Sequence, residues 1–226
     1  FLATAELWDI KPRNQINRGK MKQIAIIGLG KIGWNIALNL LEKNYSIIGY
    51  NRTPEKTKQL AKHGAIPCYS LDELPKKMHS PRIILLMLTA GRPVDNVIAN
   101  LIPHLEKRDI IIDGGNSYFK DSIRRHHLLK KKEIDFIDIG ISGGIEGARH
   151  GASLMIGGDK AAFKKIKSLC KDLAAEDGYA YLGSSGAGHF AKMVHNGIEY
   201  ALLEAYGEGF EILEKSPYKY DYKDVA

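Results

Sequence analysis

The sequence predicts an α/β protein: a doubly wound, mainly parallel sheet that leads into the first long helix of an all-α region. Three observations carry this. Short runs of isoleucine and leucine alternate with helix-like stretches. A glycine-rich turn joins the first such run to the first helix. From about Ala187 onward all strand signal disappears. Strands covered on both faces read as continuous apolar runs, and their alternation with helices builds a parallel sheet.

The elements follow in order. The run 24–28 precedes a helix-like stretch over about 31–43, and the run 46–50 precedes another over about 54–63. Ile83–Leu88 is the third strand, with a helix from about Pro93. Asp109–Asp113 is the fourth, with a basic helix from about Lys120. Ile134–Ile139 is the fifth, and Leu154–Ile156 is a candidate sixth. No proline interrupts the chain between Ala187 and Lys215, which reads as one helix of about 29 residues, or about 43 Å. Its apolar surroundings predict that it is buried. The expected division is an appendage over 1–20, a first domain over 21–184, and the start of a helical domain over 185–226, which stops soon after Pro217. Met21 stands directly before the first strand and reads as the natural start, and because the helical domain stops almost as soon as it begins, the chain is expected to be truncated at its far end.

Composition narrows the function. The 226 residues carry a formal net charge of +7 and are 44% hydrophobic. No apolar run approaches the ~18 residues of a membrane span, and residues 1–20 lack a signal peptide's apolar core. Two cysteines, Cys68 and Cys170, suggest neither a disulfide framework nor a metal site, which suits a reducing cytosol. Much of the positive charge sits in Lys120–Lys132, read as a solvated helix face. No aromatic residues interleave with it, so no nucleic-acid platform is expected.

The turn Gly28-Leu29-Gly30-Lys31-Ile32-Gly33 lies where a dinucleotide loop must lie, between a strand and a helix. Its glycines permit the tight turn, close approach to a pyrophosphate, and close helix–strand packing. The helix N-terminus adds free N–H groups for phosphate. This makes the sheet Rossmann-type. An acid at the end of the second strand favours NAD. Here Asn51, Arg52 and Thr53 stand instead, and a guanidinium suits a 2′-phosphate. NADP is therefore favoured, with an ordinary surface arginine as the alternative.

Two further glycine-rich turns follow strands. Asp113-Gly114-Gly115-Asn116-Ser117 gives close backbone approach beside an amide that can donate and accept, or is only a turn. Ser142-Gly143-Gly144 belongs to a stretch, 140–158, holding seven glycines. It could grip a carboxylate or sugar hydroxyls, or be a hairpin-rich connection. On the long helix, Lys192, His195, Asn196, Glu199 and Tyr200 share one face. Such a stripe is often a solvated face. If buried, the lysine can lose its charge and act as a base, and the glutamate can serve as an acid.

With these residues in view, the chain resembles the decarboxylating 6-phosphogluconate dehydrogenase family. The matching stretches are GLGKIG, NRT, DGGNS, ISGGIEGARHGASLMIGG and GAGHFAKMVHNGIEY, spread over about residues 22–212. DGGNSYFKDS and AYGEGFEIL are most similar to the family's shorter branch, whereas Asn51-Arg52-Thr53 is like the NADP-using longer branch. The resemblance implies oxidation and decarboxylation of 6-phosphogluconate to ribulose 5-phosphate and CO2, in the pentose phosphate pathway. It implies that Lys192 is the base and Glu199 the acid. It implies that Asn116, Ser142, Gly143, Gly144, His195 and Asn196 hold the sugar acid and nicotinamide, and that Tyr200 contacts the phosphate. Leu88, Thr89 and Ala90 fall in the loop near the cofactor. Many members carry an acid where Ile145 stands, while Glu146 remains. The family continues into a helical domain that builds the dimer and completes the phosphate pocket. The competing expectations are another β-hydroxyacid dehydrogenase, such as one acting on 3-hydroxyisobutyrate, and a non-catalytic NADP-binding fragment.

Overall fold

The computed structural model describes residues 22–225. The expectation for residues 1–20 lies outside them. β1 (Gln23–Ile27), α1 (Lys31–Glu42), β2 (Ser46–Tyr50), α2 (Pro54–Lys62) and the short β3 (Ile66–Cys68) form the first winding. β4 (Ile83–Leu86), α3 (Arg92–Leu101), β5 (Ile110–Asp113), α4 (Phe119–Lys130) and β6 (Asp135–Ser142) form the second. α5 (Gly144–His150), β7 (Ala152–Gly158), α6 (Lys160–Leu173) and β8 (Ala174–Gly183) extend the sheet. α7 (Ala187–Glu214) and α8 (Tyr222–Val225) close the chain.

The strand order is β3-β2-β1-β4-β5-β6-β7-β8. The winding reverses between β1 and β4, and this opens a crevice at their carboxyl ends, where ligands of such sheets bind. All neighbouring strands pair parallel except β6 and β7. The segment between those two, residues 143–151, is shorter than the roughly dozen residues a parallel crossover needs. The candidate sixth strand is thus real but antiparallel, and longer than expected.

The continuous apolar runs are explained by the two faces of the sheet. Ile24, Ile26, Ile47, Leu85, Ile112 and Ile137 pack with Ile36 and Leu40 of α1 and Ile166 and Leu169 of α6. Ala25, Ile27, Ile48, Ile84, Leu86 and Ile111 pack on the other face with Val94, Ile98 and Leu101 of α3. Successive strand residues point to opposite faces, so every position of β1 after Gln23 is buried. Each fully buried Ile or Leu contributes about 1.5–3 kcal/mol of transfer free energy. Cys68 and Cys170 are free and buried.

Two expectations need correction. α7 has the predicted length, at 28 residues, but it is buried only at its start. Gly188, His189 and Lys192 are buried, whereas Ile198, Leu202, Leu203 and Tyr206 are 55–65% exposed. The packing of α7 on β6, β7 and α4 is confined to its first turns. The second correction concerns one residue of the basic segment, whose Lys120, Arg124, Lys130, Lys131 and Lys132 are exposed as expected. Arg125 of α4 is only 1% exposed and ion-paired. A buried guanidinium persists because carboxylates neutralise it, and those carboxylates come from α3 and β5, far off in sequence.

Candidate active site

The glycine turn after β1 has the geometry its sequence promised. Gly28 sits at φ +99°, and a Cβ there would stand 2.3 Å from the Met87 carbonyl oxygen. A Cβ on Gly33 would stand 2.0 Å from the Gly28 oxygen, which is how α1 packs tightly on the turn. A Cβ on Gly30 would meet nothing within 4 Å. Gly30 instead borders two cavities, so its bare backbone faces the space a pyrophosphate would fill.

The first cavity, about 440 Å³, is lined by Gly28, Gly30, Asn51, Arg52, Thr53, Leu88 and Thr89, with Pro93, Asn96 and Val97 of α3. Asn51 is partly engaged: its Oδ1 accepts from the Leu29 N–H at 2.9 Å, and its Nδ2 donates to the Thr53 carbonyl at 3.1 Å. It fastens the second strand's end to the glycine turn. The Arg52 side chain is exposed and free to meet a ligand at the rim. Leu29 is fully buried in the core. Ala90 borders neither of these two cavities.

The second cavity, about 460 Å³, adjoins the first. Gly30, Lys31, Ile32 and Gly33 form one wall, and Leu88, Gly114, Gly115 and Asn116 another. Ser142, Gly143 and Gly144 close a third side, and Lys192, Asn196, Glu199 and Tyr200 of α7 the fourth. All three glycine-rich turns thus meet four residues of the polar stripe in one place, while His195 does not border this cavity. Asn116 spends part of its amide on the protein: Oδ1 accepts from the Ile141 N–H at 3.0 Å, and Nδ2 donates to the Ile141 carbonyl at 3.3 Å. It pins one turn to the next and keeps one N–H and one lone pair for a ligand. Ile145 is 44% exposed. Neither Ile145 nor Glu146 borders this cavity.

Lys192 is the centre of the site. It is 6% exposed. Its Nζ lies 3.5 Å from His195 Nδ1, which lies 3.3 Å from Asn196 Oδ1 and 3.6 Å from Glu199 Oε2. Burial pushes the Lys192 ammonium below its ordinary range, and the Glu199 carboxylate pulls part of the way back. An amine whose charged form is disfavoured in this way is one that can accept a proton. Glu199 itself is half exposed at the cavity mouth.

Sequence reasoning missed the supports. The fully buried Asp138 of β6 accepts from the backbone N–H of Gly186 at 2.7 Å and of His189 at 2.9 Å. It therefore holds the start of α7, where free N–H groups and the helix dipole favour an anion. Glycines let α7 lie directly on the strands. A Cβ on Gly140 would stand 2.4 Å from Lys192 Cβ, and one on Gly188 2.4 Å from the Met155 oxygen. The His189 ring meets Ser122 Oγ at 2.7 Å and ties α7 to α4. The available signal was an acid inside the apolar run Phe136-Ile137-Asp138-Ile139, a pattern that calls for a buried partner.

A glycine turn at the switch point of a doubly wound sheet, with a buried lysine across the adjoining cavity, is an arrangement of the dinucleotide-binding, β-hydroxyacid dehydrogenase type. Comparison with known proteins makes this specific. Residues 23–184 match the family model described as the NAD binding domain of 6-phosphogluconate dehydrogenase. Residues 188–226 match that described as the 6-phosphogluconate dehydrogenase C-terminal domain. The chain belongs to the 6-phosphogluconate dehydrogenase family. It is 45% identical over 204 residues to a putative 6-phosphogluconate dehydrogenase, YqeC, of Bacillus subtilis, covering 90% of this chain and 68% of that one. It is 44% identical to the NAD(+)-dependent decarboxylating enzyme of the same organism, covering 85% of this chain and 43% of that one. Among solved structures, 6-phosphogluconate dehydrogenase of Plasmodium falciparum, studied with NADP+ and with 6-phosphogluconate, superposes with a TM-score of 0.79 at 38% identity. That match covers 85% of this chain and 43% of the other. The chain thus spans less than half the length of these last two relatives. Among the described residues, no helix is long and apolar enough to cross a membrane.

Proposed function

We propose that this chain carries the catalytic apparatus for oxidative decarboxylation of 6-phosphogluconate to ribulose 5-phosphate and CO2, with NADP as the oxidant. The supporting observation is Lys192, buried opposite the glycine turn, with its ammonium destabilised and Glu199 two turns further along the same cavity wall. In this reading the neutral Lys192 amine takes the proton of the substrate's 3-hydroxyl as that carbon is oxidised. A bound nicotinamide supplies the hydride acceptor. Lys192, now an ammonium, donates a hydrogen bond to the new ketone and draws electron density as the C1 carboxylate leaves as CO2. Glu199 then delivers a proton to the enediol carbon. His195 and Asn196 steady the amine, and Tyr200 sits where the phosphate would be met. Ser142, Gly143, Gly144 and Asn116 offer the polar groups that hold the sugar acid.

The preference for NADP rests on Arg52 at the rim of the first cavity, with Asn51 replacing the acid that would repel a 2′-phosphate. A dimer and a phosphate pocket completed by a helical domain, both implied by the family resemblance, belong to the proposal as well. The reaction is tested by following reduced-nicotinamide absorbance with NADP and NAD in parallel, against 6-phosphogluconate and against 3-hydroxyisobutyrate. Reduction with the phosphosugar acid alone, faster with NADP, supports the reading. Turnover of the short acid in its place would overturn it. Tight NADP binding with no turnover of either acid would favour the non-catalytic alternative.

A further inference from the structure

We propose that Arg125 is a positioning residue that couples the wall of the cofactor cavity to the wall of the substrate cavity. The inference rests on reading the two cavities as the dinucleotide's and the substrate's. Each nitrogen of this one guanidinium meets a different partner. Nε donates to Asp95 Oδ1 on α3 at 2.8 Å. Nη1 donates to Asp113 Oδ2 at the end of β5 at 3.0 Å. Nη2 donates to the Gly91 carbonyl at 3.1 Å, in the turn that opens α3.

Asp113 passes the constraint on, because its other oxygen accepts from the Gly115 N–H at 3.1 Å. Asn116 follows directly. Arg125 and Asp113 are 1% and 0% exposed, so water has little room to replace these bonds. Asp95 is held below the usual carboxylate range: burial alone would push it up, and the bonds from Arg125 and Arg124 outweigh that. The two loops also touch, since a Cβ on Gly115 would stand 2.4 Å from the Leu88 oxygen. α3 supplies Pro93, Asn96 and Val97 to the first cavity, and the β5 turn supplies Gly114, Gly115 and Asn116 to the second. Any shift of α3 toward a bound adenosine must therefore move the turn that carries Asn116. A lysine, as a point charge, cannot bridge three acceptors in one plane.

The test is amide hydrogen exchange of the intact chain with 2′,5′-ADP, the adenosine half of NADP. None of residues 113–117 borders the cavity that would take this probe. In the unmodified chain, binding should slow exchange at Gly114–Ser117 by about fivefold or more. Arg125→Lys should bind the probe with little loss of affinity and show no slowing there. Asp95→Asn, which weakens the hold of Nε on α3 while leaving the Arg125 bonds to Gly91 and Asp113, should reduce the effect. Arg124→Ala should keep it, because Arg124 reaches Asp95 and Asp121 but not Asp113. Slowing that persists undiminished in both Arg125→Lys and Asp95→Asn would overturn the proposal, as would its absence in the unmodified chain. No turnover is read, so a chain inactive on 6-phosphogluconate would leave this result standing. Failure to bind 2′,5′-ADP at all would refute the cofactor cavity, and this inference with it.

Discussion

Lys192 matters because of where its ammonium sits, buried near the start of α7 with the Glu199 carboxylate as a partial counterweight. Replacing it by methionine keeps the volume and removes the base. Lys192→Met should lower turnover by about 10²–10⁴-fold and leave NADP binding intact, as checked by steady-state rates beside nucleotide titration. Near-normal rates would remove the lysine from the chemistry. The pH profile follows from the same residue. The amine is active only when neutral, and burial lowers the pH at which it loses its proton. The rate should therefore rise with pH through a value below the ordinary lysine range and then level, and it should fall as acid protonates Lys192. An acid limb unchanged from that of an exposed lysine would contradict this. At the cofactor end, Arg52→Asp places a carboxylate where a 2′-phosphate is expected. It should shift the NADP-over-NAD preference by roughly tenfold or more toward NAD, measured as a ratio of kcat/KM values.

The elements differ in how plainly their sequences declare them. β1, β2, β4 and β5 could be read directly, because strands buried on both faces need apolar side chains at successive positions. β3 could not: it has three residues and one is Pro67, which normally argues against a strand. β8 was equally hidden, since its Ala, Glu, Asp and Gly residues are mostly half-buried or exposed at the sheet edge. The stripe from Lys192 to Tyr200 was legible from helical spacing, and the structure brings Lys192, Asn196, Glu199 and Tyr200 to one cavity. The roles of Asp138 and Arg125 were not legible, because their partners lie from 12 to 51 residues away and only the fold brings them together. The seating of α7 yields its own prediction. A methyl group on Gly140 would press Lys192 Cβ from 2.4 Å. Gly140→Ala should cost about 1–3 kcal/mol of stability and depress turnover far more than NADP affinity, as read from denaturant unfolding and nucleotide titration. Equal losses in both functions would mean that α7 is not seated by this contact.

The molecule as a whole joins two kinds of surface. A doubly wound sheet supplies rigid strand ends at its switch point, and a single long helix, seated on β6 and β7, brings Lys192 and Glu199 to the adjoining cavity. The crevice between them is where three glycine-rich turns leave room for a ligand. The remainder of α7 leaves Ile198, Leu202, Leu203 and Tyr206 exposed. What most directly decides the account is the fate of the substrate's first carbon. Purified chain should be given 6-phosphogluconate labelled with ¹³C at C1, together with NADP, and followed by NMR. The label should leave the sugar acid and appear as CO2 and bicarbonate, in step with NADPH and ribulose 5-phosphate. NADPH formed while the label stays in the carbon chain of the sugar acid would mean a dehydrogenase without decarboxylation, and would contradict the role given to Glu199 and the second of the two given to Lys192.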